Sequence, residues 1–99
     1  MNDKIYTVEE IRALVAPIAR KYGVERVYLF GSYARGEATS ASDLDFRIDK
    51  GQLRGLAFGG FCSAFSDILN KPVDVVTTKS LDQDFLSRIA KEEVLIYAN

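Results

Sequence analysis

Residues 43–49 alternate strictly between charged and apolar side chains, and this pattern restricts the possible folds more than any other feature. Leu44, Phe46 and Ile48 would point to one face of a strand. The charged residues of the segment would point to the other face: Asp43, Asp45, Arg47 and Asp49. Alternation of this kind indicates a strand with one face on a hydrophobic core and the other in water. The chain must therefore build a sheet and cover one side of it.

The flanking segments predict the helices and strands that complete this sheet. Apolar residues at helical spacing predict three helices: one from the capping box of Thr7 and Glu10, one over about Leu56–Leu69, and one from a capping box of Ser80 and Gln83. Pro17 is expected to kink the first helix or divide it in two. Short apolar runs predict further strands at 27–30, 73–77 and 94–97.

The order of these elements predicts the fold class. Helix, strand, polar loop, strand, helix, strand and helix together favour an α/β domain of the α+β type. We expect a short mixed β-sheet with helices packed on one face. No repeat or linker divides the sequence, so residues 1–99 are interpreted as a single domain.

The composition excludes several classes of chemistry. The chain has no His and one Cys, which excludes Ser-His-Asp hydrolysis, His-ligated zinc and an intramolecular disulfide. A net charge of -1 argues against coating a nucleic-acid backbone. No apolar run approaches 18 residues and no signal segment is present, so we expect no membrane contact and a cytoplasmic location. Any catalysis must use carboxylates, hydroxyls, backbone amides and a hard metal ion.

Gly31 and Ser32 directly follow the first predicted strand. Glycine allows a phosphate group to approach the backbone closely, because no Cβ intervenes. If Ser32 opens a helix, its hydroxyl and the free N–H groups face the same point. A plain turn from strand to helix accounts for the same residues, so the dipeptide alone does not identify a phosphate site.

Asp43 and Asp45 are two residues apart on one strand and therefore share a face. Both carboxylates can converge on one ion, and Mg²⁺ suits such a pair because it accepts one or two carboxylates beside substrate phosphates. The alternative is a solvent-facing strand that carries charged side chains, which Arg47 and Asp49 support.

Asp74 is a candidate third carboxylate of this site. It interrupts the otherwise apolar strand 73–77, where aspartate is a poor strand former. It is either an exposed position on an amphipathic strand or a neighbour of the other two aspartates. Three carboxylates facing a Gly-Ser loop describe a metal-dependent nucleotidyl-transfer site.

The spacing of these residues resembles a known family. Gly31-Ser32, ten intervening residues and Asp43-Leu44-Asp45 resemble the GSx10DxD signature of the DNA polymerase β-like nucleotidyltransferase superfamily. The string GSYARGEATSASDLDF, and the segment 71–76 that contains Asp74, are similar to its minimal nucleotidyltransferase (MNT) branch. The resemblance runs from the first helix to residues 94–97 and implies the minimal nucleotidyltransferase fold.

The resemblance also implies a role for each matching residue. Gly31 and Ser32 would hold the β- and γ-phosphates of a nucleoside triphosphate, here ATP. Asp43 and Asp45 would bind Mg²⁺, as two ions, and Asp74 would complete the second metal site and could also serve as general base. Arg35 would either neutralise the charge of the triphosphate or pair with Glu37 or Asp49.

MNT proteins are typically paired with HEPN-domain toxins, and this implies a partner. The expected function is to adenylylate a hydroxyl, on a tyrosine, of a HEPN-domain toxin, as the antitoxin of a type VII-like toxin–antitoxin pair. The alternative is a non-catalytic antitoxin that neutralises its partner by complex formation alone. Transfer to a small hydroxylated molecule would need an acceptor pocket that a chain of 99 residues has little room to build.

Overall fold

The computed structural model describes residues 3–99 and contains one four-stranded mixed sheet. The strands lie in the order β3-β2-β1-β4, so β3 and β4 form the edges. Their bounds are β1 Arg26–Phe30, β2 Leu44–Asp49, β3 Val73–Thr77 and β4 Val94–Ala98. The helices are α1 Val8–Lys21, α2 Ser32–Arg35, α3 Leu56–Leu69 and α4 Gln83–Ala90, with a 3-10 turn at Thr78–Ser80. The predicted fold class is confirmed.

The pairing of the strands decides which side chains meet on the polar face of the sheet. β1 runs antiparallel to both β2 and β4, whereas β2 and β3 are parallel. A parallel pair needs a crossover connection, and α3 supplies it. In this register Asp45 of β2 lies directly opposite Asp74 of β3.

The hydrophobic core lies between the sheet and the two long helices. The apolar residues of β2 are fully buried, as the alternation predicts. Phe65 of α3 packs edge-to-face on Phe46 with ring centroids 5.1 Å apart. Each fully buried side chain of this size contributes about 1.5–3 kcal/mol. The largest fully buried side chains are Phe46, Phe61, Phe65, Ile11, Leu29, Leu44, Ile48, Leu53 and Leu69.

The last helix packs against the other face of the sheet. Phe85 of α4 contacts Phe30 edge-to-face with centroids 5.9 Å apart. Phe30 points away from the core because it follows the fully buried Leu29 on the same strand. The expected packing of helices on one face therefore holds for α1 and α3, and α4 instead borders the polar face.

The structure shows that Pro17 does not divide α1 and corrects the predicted cap of α4. α1 continues through Pro17 as one helix, because Pro17 and Ala13, whose carbonyl loses its partner, both lie on the solvent side. α4 begins with Asp82, whose side chain accepts a hydrogen bond from the Phe85 N–H at 2.8 Å. Ser80 lies in the preceding 3-10 turn and its hydroxyl donates to the Thr77 carbonyl. The aspartate one residue before the helix is a better acceptor for its free N–H groups.

Across residues 3–99, the helices are too short or too polar to cross a bilayer.

Candidate active site

Gly31 ends β1 in a conformation and a position that suit glycine alone. Its φ of 79° lies in the left-handed region, which a side chain rarely adopts. A Cβ placed on Gly31 would lie 2.3 Å from the Asp45 Oδ2 atom. Because glycine has no side chain, the Asp45 carboxylate can occupy the space next to the Gly31 backbone. The Gly31 backbone and the Asp45 carboxylate therefore lie side by side.

The three predicted aspartates lie near the starts of the neighbouring strands β2 and β3. Asp43 lies directly before β2 and is exposed, Asp45 is half-buried, and Asp74 is exposed on β3. Burial raises the pKa of Asp45, and the charges of Asp74 and Asp43 raise it further. The like charges are therefore close enough to repel one another.

The donor set fits a magnesium ion by its chemistry. Carboxylate oxygens are the protein ligands that Mg²⁺ prefers, and its remaining positions go to water and phosphate oxygens. Within residues 3–99, no three Cys, Asp or Glu side chains already stand in an arrangement that could hold a metal. Two unit charges 4 Å apart repel by about 4 kcal/mol at an effective dielectric of 20, so carboxylates that converge further need a cation between them. The assignment of Asp43, Asp45 and Asp74 as metal ligands remains a prediction.

Arg35 is the last residue of α2 and is held between two carboxylates. Its Nε donates to Glu37 at 2.8 Å, and its Nη1 lies 3.1 Å from the Glu92 Oε2 atom. These hydrogen bonds raise the pKa of Arg35, that with Glu37 most. Of the two predicted partners, Glu37 forms a pair and Asp49 pairs instead with Arg26. A role for Arg35 at the triphosphate stays a prediction.

Two residues of the site were missed by the sequence reasoning. Glu92 accepts the Gly31 N–H at 2.7 Å although it lies 61 positions further along the chain. Arg88 of α4 lines the same open cleft of about 460 Å³, together with Gly31, Ser32, Arg35, Asp45 and Glu92. In the sequence, the only local sign of Glu92 is that two adjacent glutamates, 92 and 93, lie between the last predicted helix and the last predicted strand. Such pairs are common on protein surfaces, so they do not indicate a functional site.

Arg47 lies on the same face of β2 as Asp45, but its contacts hold the fold together. It is buried, and Nη2 lies 2.8 Å from the Glu93 carboxylate. Its guanidinium lies over the Tyr28 ring at 4.1 Å from the centroid and donates to the Thr78 hydroxyl at 2.7 Å. These contacts fasten the turn after α4 to the sheet.

Comparison with known proteins assigns this constellation to a family. The profile of the family described as "Polymerase beta, Nucleotidyltransferase" matches residues 14–99. A protein of Methanocaldococcus jannaschii, provisionally named a protein adenylyltransferase, is 35% identical over 88% of this chain and 95% of its own length. The protein adenylyltransferase MntA of Thermococcus cleftensis is 30% identical over 91% of this chain and 96% of its own length.

Solved structures share the fold. One that is described provisionally as a minimal nucleotidyltransferase has a TM-score of 0.77 and 29% identity, covering 90% of this chain and 95% of that chain. A complex of a tri-AMPylated Shewanella oneidensis HEPN toxin with MNT antitoxin matches with a TM-score of 0.70 and 17% identity, covering 94% of this chain and 74% of that chain. The resemblance predicted from the sequence is confirmed: the chain belongs to the polymerase β family of nucleotidyltransferases.

Proposed function

We propose that this chain is a Mg²⁺-dependent protein adenylyltransferase, acting as a single domain over residues 1–99. It transfers AMP from ATP to a tyrosine hydroxyl of a HEPN-domain toxin and so acts as the antitoxin of the pair. One observation carries the proposal: the Asp45 carboxylate fills the space beside Gly31 that a side chain would occupy. The nearness of Gly31 to the Asp45 carboxylate supports a site in which bound phosphate and a carboxylate would lie close together, as transfer of a nucleotidyl group requires.

In this proposal the loop binds the donor and the carboxylates organise the reacting groups. Gly31 and Ser32 hold the β- and γ-phosphates, and Arg35 offsets their charge. The acceptor oxygen forms a bond to the α-phosphorus, the bond to the β-phosphate oxygen breaks, and pyrophosphate leaves. Asp74, exposed at the edge strand, is available to take the hydroxyl proton. Asp43, Asp45 and Asp74 would hold Mg²⁺, which supplies charge neutralisation and a lowered pKa of the acceptor hydroxyl.

The names of the relatives support a protein as the acceptor. Two relatives, covered along 95% and 96% of their length, carry the name protein adenylyltransferase. The shared fold of the antitoxin in a complex with an AMPylated HEPN toxin supports both the partner and the adenylyl group. The proposed location is the cytoplasm, where ATP is available.

Labelling of the partner tests the proposal. The chain is purified together with a HEPN-domain toxin and incubated with Mg²⁺ and ATP labelled at the α-phosphate. We expect label on the partner, its loss in Asp43→Asn and Asp45→Asn, and its retention in Asp67→Asn. Asp67 provides the matched control because it is exposed on α3 and undergoes the same chemical change.

Cell protection separates the catalytic proposal from its alternative. If the Asp43→Asn, Asp45→Asn double variant still binds the partner but no longer protects cells from it, catalysis is the function. Full protection by that variant, with no label on the partner, would identify an antitoxin that works by complex formation.

A further inference from the structure

Glu92 forms hydrogen bonds with Gly31 and Arg35, two residues to which the proposed function assigns binding of the triphosphate. Its Oε2 atom accepts the Gly31 N–H at 2.7 Å and lies 3.1 Å from Arg35 Nη1. Its Oε1 atom lies 3.4 Å from the same nitrogen, and its side chain is 25% exposed. The Glu92 carboxylate thus contacts both the Gly31 amide and the Arg35 guanidinium.

A carboxylate and a phosphate group compete for donors of this kind. Both present anionic oxygens, and both form strong hydrogen bonds with a backbone N–H and with arginine. The Gly31 N–H points to Glu92 and cannot at the same time donate in good geometry to a phosphate oxygen. Glu92 also adds negative charge beside Asp45. Bound phosphate and the present position of Glu92 are therefore mutually exclusive.

The surroundings of Glu92 allow its side chain to leave without unfolding the turn. Its backbone N–H donates to the Ile89 carbonyl at 3.0 Å. The next residue, Glu93, remains fastened to Arg47 at 2.8 Å. A rotamer change of Glu92 is thus sufficient to free both donors, and it leaves α4 and β4 in place.

On the basis of the proposed function, we propose that Glu92 sets the affinity of this site for nucleoside triphosphates. It occupies the Gly31 amide and the Arg35 guanidinium until phosphate oxygens replace it. Glu92 is then a specificity-determining residue that opposes every ligand with anionic oxygens at this position. AMP, which lacks the β- and γ-phosphates, does not compete with it.

Binding calorimetry on the purified chain tests this proposal with ATP and AMP in the presence of Mg²⁺. We expect Glu92→Gln and Glu92→Ala to lower the Kd for ATP by about tenfold, the size of one charge-assisted hydrogen bond. The Kd for AMP is expected to stay constant. Glu37→Gln is the matched control, because Glu37 also pairs with Arg35 but is 67% exposed and does not contact the Gly31 amide. Screening by water should limit its effect to about twofold.

The outcomes separate this inference from the proposed function. If the wild-type chain binds ATP and neither Glu92 variant binds it more tightly, the inference is wrong and the proposed function stands. An equal gain for AMP would also overturn it, since that result indicates a general change of the cleft. If the wild-type chain and both Glu92 variants bind no ATP, both proposals fail. Thermal unfolding of each variant establishes that the Glu92 substitutions leave the fold intact.

Discussion

Asp45 on β2 and Asp74 on β3 lie opposite each other across a parallel strand pair, with their side chains on the same face of the sheet. Adjacent strands are about 4.8 Å apart, so the two carboxylates are neighbours. Their proximity, together with burial, raises the pKa of Asp45. This pair connects the stability of the fold to the proposed binding of metal.

Removing one charge of the pair should stabilise the metal-free protein. Because the pKa of Asp45 is raised in the folded state, the folded protein loses stability as the pH rises above the ordinary aspartate pKa of about 3.9. Asp45→Asn removes that loss. Screening limits the gain at pH 7 to the order of 1 kcal/mol, or roughly 4–8 °C in Tm. Thermal unfolding in EDTA measures the gain, and Mg²⁺ should raise the Tm of the wild type only. A lower Tm for Asp45→Asn in EDTA would contradict the repulsion.

A side chain at Gly31 should impair both folding and activity. Gly31→Ala places a methyl group against Asp45 and forces alanine to a positive φ, which costs on the order of 1–2 kcal/mol before the clash is counted. Gly59→Ala is the control, since its added Cβ meets no atom within 4 Å and alanine favours the helix by about 0.5–1 kcal/mol. Chemical denaturation should therefore show opposite signs for the two variants. Equal stability of both would show that Gly31 is not a close-contact position.

The buried ion pair behind the site should matter more for stability than the exposed pairs. The side chains of Arg47 and Glu93 are only 11% and 14% exposed. Arg47→Ala leaves Glu93 buried without its partner, and such a loss costs about 3–5 kcal/mol. Arg26→Ala breaks a pair whose arginine is 44% exposed and should cost less than about 1 kcal/mol. Urea denaturation compares the two, and similar losses would contradict the burial of Arg47.

The single cysteine should react slowly while the protein is folded. Burial raises the pKa of the Cys62 thiol above its ordinary value, so less thiolate is present at pH 8 than in an exposed cysteine. Reaction with a chromogenic disulfide at pH 8 should be slow in buffer and fast in denaturant. Equal rates under the two conditions would mean that Cys62 is accessible.

The start of α4 offers a comparison between the observed cap and the predicted one. Asp82→Ala removes the acceptor of the Phe85 N–H and should lower stability by about 1 kcal/mol. Ser80→Ala removes only a hydroxyl in the preceding turn and should change stability by less than about 0.5 kcal/mol. Thermal unfolding of both variants measures the difference, and the reverse order would favour Ser80 as the cap.

Local patterns in the sequence were sufficient for the fold class and for most element bounds. The period-two alternation at 43–49 and the helical spacing at Leu56–Leu69 depend only on which face of an element enters the core. The capping box of Thr7 and Glu10 is equally local and is present in the structure. The cap of α4 was predicted at the wrong residue, since Ser80 and Asp82 are both good cap residues and the 3-10 turn decides between them.

By itself the sequence determined the family, because Gly31, Ser32 and the aspartates 43, 45 and 74 lie at spacings that belong to it. Only the tertiary structure decided which of them meet. The parallel pairing of β2 with β3 sets Asp45 opposite Asp74, and the packing of α4 on Phe30 brings Glu92 to the Gly31 amide. These contacts span 29 and 61 positions of the chain. Local patterns contain no information about such distant pairs, because the core and the strand register select them.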